Sequence, residues 1–109
     1  MLEALWSVQF KTNANYAGSG IAVFETGRVL GGDATYYYVG NYKVKDNVVT
    51  ANIKVTHYAG PLDNVFGPLK EVNLTVSGEI GHDSFVVSGT AKEAPGTIFI
   101  RLTRRAELP

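Results

Sequence analysis

Hydrophobic and polar residues alternate one for one along most of the chain. In "NVVTANIKVTHY", Val49, Ala51, Ile53 and Val55 take turns with Thr50, Asn52, Lys54 and Thr56. Side chains two apart share a face of a strand, so this text predicts a strand with one face on a core and one in water. The same spacing predicts strands in "ALWSVQFKT" (Trp6, Val8 and Phe10 inward), "KEVNLTVSG" (Val72, Leu74, Val76) and "TIFIRLTR" (Ile98, Ile100, Leu102). Shorter strands are expected at "GIAVFE", "RVLGG" and "SFVVSGTA", and a longer one at "ATYYYVGNYKV". Turn residues punctuate them: Asn13 to Asn15, Thr26-Gly27, Asp46-Asn47, Gly60-Pro61, Gly81-His82-Asp83 and Pro95-Gly96. No segment sustains a 3.6-residue period, and "PLDNVFG" (Pro61 to Gly67) offers at most one helical turn after the fifth strand.

About eight closely linked strands, with no linker or repeat between them, predict an antiparallel meander in a single domain spanning residues 1–109. Closing such a meander into a small all-β, up-and-down barrel removes its exposed edges. A two-sheet β-sandwich has the same strand count and is the alternative. Gly40, Gly78 and Gly89 fall inside strand patterns, where glycine marks a bend or a close backbone approach, and they favour the barrel.

Composition narrows the function classes. A chain of 109 residues can bury roughly 60–70% of its unfolded surface and fold unaided. Ten Lys and Arg balance ten Asp and Glu, so no net charge draws the protein to nucleic acid or to an anionic membrane. The absence of cysteine excludes disulfides, thiolate catalysis and Cys-based metal sites. The start "MLEALWSVQF" lacks the basic region and apolar run of a secretory signal, and no stretch approaches the ~20 apolar residues of a membrane span. A cytoplasmic protein is the expectation.

The most unusual text is "GGDATYYYVGNY", Gly31 to Tyr42. Alternation places Tyr36, Tyr38, Gly40 and Tyr42 on one face, and Tyr37, Val39, Asn41 and Lys43 on the other. The second face carries the polar residues and reads as outer. The inward rings either fill the core or line an apolar pocket, with their hydroxyls as polar handles. In the pocket case Tyr36, Tyr38, Tyr42, Ile53, Val55 and His57 form the candidate ligand-binding set. His57 continues the inward series after Val55 towards a barrel mouth, although a histidine satisfied at the strand end is the plainer expectation. Asp33 is expected to fix the preceding turn through its side chain.

Other candidates are thin. "GSG" at Gly18 to Gly20 and "GGD" at Gly31 to Asp33 match no phosphate-loop spacing, and no helix follows them to supply amide donors. Two histidines without a third ligand predict no metal site, and no cofactor is implied. No Ser–His–acid set stands at a recognisable spacing, so no catalytic residue is assigned. His82 and Asp83 read as an exposed turn, "RLTRR" (Arg101 to Arg105) as a solvated strand edge, and "NLT" at Asn73 as strand text.

The ordered spacing Gly18-x-Gly20, Gly27, Gly31-Gly32-Asp33 and Tyr38-x-Gly40, followed by a further strand, resembles the GrlR family. These are small bacterial proteins called after a negative regulator of type III secretion genes. The resemblance implies a lipocalin-like barrel, often a homodimer, with an apolar interior. It also implies regulation by sequestering a transcriptional activator rather than by contact with DNA. One departure bears on that role. In the founding member, the turn after the Tyr-x-Gly strand carries an exposed Glu-Asp-Glu-Asp run implicated in partner binding. Here the turn is Val44-Lys45-Asp46-Asn47, with one acid, and the electrostatic complementarity is largely gone. Three functions are therefore expected, in this order: a regulatory protein-binding barrel, with Lys45, Asp46 and Asn47 at the partner turn; a carrier of a small apolar ligand; and a small enzyme using His57 or Asp33 as acid or base.

Overall fold

The computed structural model describes residues 2–13, 17–62 and 67–109. Its strands are β1 (Ala4–Thr12), β2 (Ala17–Glu25), β3 (Arg28–Gly32), β4 (Tyr36–Lys45), β5 (Val48–His57), β6 (Glu71–Glu79), β7 (Ser84–Ala91) and β8 (Ala94–Ala106). Each pairs antiparallel with its neighbour in chain order, and β1 also pairs with β8. The sheet is thus a closed, eight-stranded, up-and-down barrel, as the strand count and the in-strand glycines led one to expect, and the sandwich alternative falls away. The helical turn expected at Pro61 to Gly67 lies outside the described residues.

Alternation fixes the faces as read from the sequence. Trp6 and Val8 on β1, Val72, Leu74 and Val76 on β6, and Ile98, Ile100 and Leu102 on β8 are all buried. Tyr36 and Tyr38 are buried, while Tyr37 and Val39 face solvent. Among the described residues no buried side-chain nitrogen or oxygen lacks a hydrogen-bond partner.

Odd-numbered connections (β1–β2, β3–β4, β5–β6, β7–β8) gather at one end of the barrel, here called the mouth. The opposite end is plugged. Trp6 meets Phe85 edge-on at 5.1 Å between ring centroids and donates its indole N–H to the Leu2 carbonyl at 2.9 Å. The Arg104 guanidinium lies 4.7 Å from the centre of the Trp6 ring, and its Nε donates to the His82 carbonyl at 2.8 Å. Arg105 donates from Nε to the Ser7 hydroxyl at 2.8 Å. The basic "RLTRR" segment, expected to be a solvated edge, therefore has two of its arginines tied to this end of the barrel.

Two hairpins at the plugged end use two-residue loops in left-handed conformation: Thr26-Gly27 (φ 46° and 80°) and Asp46-Asn47 (φ 53° and 64°). These positive φ values match the right-handed twist of the strands they join. The turn expected at Pro95-Gly96 is displaced. The loop residues are Lys92 and Glu93, and Pro95 and Gly96 lie within β8, beyond a register irregularity at Thr90/Ala91. Pro-Gly is a strong turn signal, but a strand start next to an irregularity also tolerates it, and backbone pairing decided between them.

Thr26 is the strained residue of the first hairpin, because a β-branched side chain is disfavoured at positive φ. Its amide donates to Glu3 Oε2 at 2.6 Å, which holds the turn in place. Thr26→Asn creates the Asn-Gly pair such turns prefer and keeps that amide. It is expected to raise stability by about 1 kcal/mol, seen as a Tm increase of several degrees in a thermal melt.

Candidate functional site

Short inward residues leave room inside the barrel. On β2 the inward positions nearest the mouth are Gly18 and Gly20, and on β4 the inward series passes from Tyr38 through Gly40. A cavity of about 290 Å³ opens from the mouth and reaches down to Phe24, Val29, Phe85 and Leu102. Its walls are apolar, from Phe10, Ile53, Val55, Leu74, Ile98 and Ile100 among others. Its polar lining is confined to the mouth: Ser19, Asp33, Thr35, Tyr36 and Tyr38.

Asp33 organises that mouth. Oδ1 accepts from the backbone amides of Thr35 (2.9 Å) and Tyr36 (2.8 Å) and from the Thr35 hydroxyl (3.3 Å). This is the side-chain-fixed turn expected from "GGDAT". Oδ2 accepts the Tyr38 hydroxyl at 2.5 Å, a contact the linear text does not announce. The Asp33 backbone joins in: its amide donates to the Tyr36 carbonyl at 2.9 Å, and its carbonyl accepts the Tyr58 hydroxyl at 2.7 Å.

Gly20 makes the Tyr38 position possible. A Cβ there would stand 2.5 Å from the Tyr38 hydroxyl oxygen and 2.8 Å from the Gly32 carbonyl oxygen. Tyr38 also meets Phe10 edge-on at 6.3 Å. Desolvation, and then the hydrogen bond and negative charge of Asp33, hold the Tyr38 hydroxyl far above the ordinary phenol range.

The expected ligand set divides. Tyr36, Tyr38, Ile53 and Val55 line the cavity together. The Tyr36 hydroxyl donates to the Leu69 carbonyl at 2.7 Å. Tyr42 is half-buried and packs against Phe24, ring centroids 5.2 Å apart, without lining the cavity. His57 stands beside Tyr36 (5.3 Å, edge-on), with Nε2 2.8 Å from the Gly60 carbonyl oxygen. It is satisfied at the strand end and does not line the cavity.

The motif glycines serve geometry. Gly31 and Gly40 lie against the carbonyls of Ile21 and Asn52 on neighbouring strands, where a Cβ would collide with backbone. Lys45, Asp46 and Asn47 form an exposed turn at the plugged end, away from the mouth. The Asn47 side chain donates to the Ile80 carbonyl at 3.2 Å, and the Ile80 amide donates back to the Asn47 carbonyl at 2.9 Å. Among the described residues no three His, Asp or Glu side chains come together as metal ligands do.

Sequence reasoning missed the Asp33–Tyr38 bond and the Leu69 carbonyl under Tyr36. The five-residue gap between Asp33 and Tyr38 spans a turn and part of a strand, a spacing with no signature of its own. Compared with protein-family models and with curated proteins, the chain matches none at a significant level.

Because the neutral phenol of Tyr38 is favoured in the fold, the unfolded chain loses this proton first as pH rises past about 10. The stabilisation is complete below that pH and declines above it. Urea midpoints measured from pH 8 to 11 are expected to fall in the wild type. In Tyr38→Phe the fall should be shallower by about one proton.

Proposed function

We propose that this protein is a binding barrel that takes a small, mainly apolar molecule into its interior. The cavity carries this reading: about 290 Å³, apolar in depth, with hydrogen-bonding groups only at the mouth. Small-molecule sites run to about 300–1,000 Å³ with a few placed polar groups, so a compact ligand suits this one. An amphiphile would lie with its apolar part towards Phe24 and Phe85 and its polar end beside Asp33 and Tyr38. Native mass spectrometry of gently purified protein is expected to show an adduct released on denaturation. Val55→Phe, which pushes a ring into the upper cavity, is expected to lose it while keeping the barrel's circular dichroism spectrum. A protein that never carries or takes up a small molecule would sink the proposal.

A second reading, regulation by protein–protein contact, draws on the outer face of β2, β3 and β4. Leu30 pairs with Val23 and Val39, and Gly32 pairs with Ile21 and Tyr37, which sets these side chains side by side. Ile21, Leu30, Tyr37 and Val39 are each 43–48% exposed, and such contiguous apolar surface marks contact sites. The resemblance to the GrlR family favours a transcriptional regulator as partner, with a second copy of this chain as the other occupant. The Asp46-Asn47 turn, with its single acid, is the weaker docking point. Leu30→Lys combined with Val39→Lys is expected to abolish co-purification of the partner, or to reduce a light-scattering mass to the 11.8 kDa of one chain. Ligand uptake at the mouth should be unaffected.

A further inference from the structure

The polar side chains Asp33, Tyr36 and Tyr38 at the mouth share one hydrogen-bonding polarity. The Tyr38 hydroxyl proton is committed to Asp33 and the Tyr36 hydroxyl proton to the Leu69 carbonyl. The amides of Thr35 and Tyr36 point at Asp33 Oδ1, and the Asp33 amide at the Tyr36 carbonyl. What these groups turn towards a ligand is therefore oxygen lone pairs. A carboxylate oxygen accepts more than one hydrogen bond, and Oδ2 takes the Tyr38 proton with capacity for a second donor. Ser19, an exposed hydroxyl on the rim, can turn to give or to accept and sets no preference.

Charge points the same way. Asp33 is the one acid in the described lining, which contains no Lys, Arg or His. The mouth-end lysines Lys11, Lys70 and Lys92 are exposed and line none of the cavity. A ligand carboxylate beside Asp33 would meet like charge and the lone pairs of the Asp33, Tyr36 and Tyr38 oxygens.

We infer that the cavity selects apolar molecules whose polar end is a hydrogen-bond donor, an amine or a hydroxyl, and rejects those ending in a carboxylate. The inference rests on the interior-binding reading above and narrows it to a ligand class. It separates a carrier of amines or alcohols from a carrier of free fatty acids, which share the same apolar tail.

Octylamine, octanol and octanoate have one tail and three different ends, and isothermal titration calorimetry at neutral pH can rank them. Octylamine and octanol are expected to bind, with octanoate at least tenfold weaker than octylamine. Asp33→Asn keeps an acceptor for the turn amides and removes the charge, so the octylamine–octanoate gap should shrink to threefold or less. Tyr38→Phe releases Oδ2 from its partner and should widen that gap, an independent check should Asp33→Asn fold poorly. Octanoate binding as tightly as octylamine would overturn the inference while leaving interior binding intact. A gap that survives Asp33→Asn unchanged would overturn it too. Failure of all three probes to bind would remove the interior-binding reading, and this inference with it.

Discussion

Hydrogen bonds between β1 and β8 turn a meander into a closed surface, and the properties of the interior follow from that closure. In a closed sheet the diameter is set by strand number and stagger, not by the size of the side chains pointing inward. With eight strands the inside can just be filled by side chains, or can hold one small ligand. Which of the two occurs depends on residue volume at the inward positions. Near the plugged end these are Trp6, Phe24, Phe85 and the overlying Arg104, and the space is filled. Higher up, Gly18, Gly20 and Ala51 replace large residues, and the cavity begins.

Asp33 converts that space into a site with direction. One carboxylate holds the backbone of the β3–β4 turn and the hydroxyl of Tyr38, so the shape of the mouth and its chemistry share a single cause. The depth offers dispersion contacts and release of water; the mouth offers acceptors and a negative charge. The outer apolar face of β2–β4 is independent of this arrangement. Alternation puts it on the other side of the same strands, so the two proposed contacts, one inside and one outside, would draw on different residues.

Much of the fold was legible because strand periodicity is a local property. The faces of β4, β5, β6 and β8 could be read residue by residue, and Tyr36, Tyr38, Ile53 and Val55 were correctly grouped as inward neighbours. The same reading grouped Tyr42 and His57 with them; Tyr42 does pack against the core, but neither lines the cavity. Period two says which way a side chain points, but not how high it sits in the barrel or which neighbour reaches it first. Phe24 covers Tyr42, and the Gly60 carbonyl takes the His57 ring nitrogen. The Pro95-Gly96 turn failed for a related reason: turn chemistry marks where a chain can bend, and pairing of β7 with β8 determined where it did.

By itself, then, the sequence determined the strands, their inner and outer faces and the Asp33 turn, because each is written within a few residues and enforced by backbone geometry. Tertiary structure settled the choice between barrel and sandwich, and it alone decided that Gly20 sits opposite the Tyr38 hydroxyl. It also decided that this hydroxyl spends its proton on Asp33 and that the remaining space is a cavity with Asp33 and Tyr38 at its mouth. Those outcomes depend on stagger and on distances between strands remote in sequence, and no local pattern encodes them.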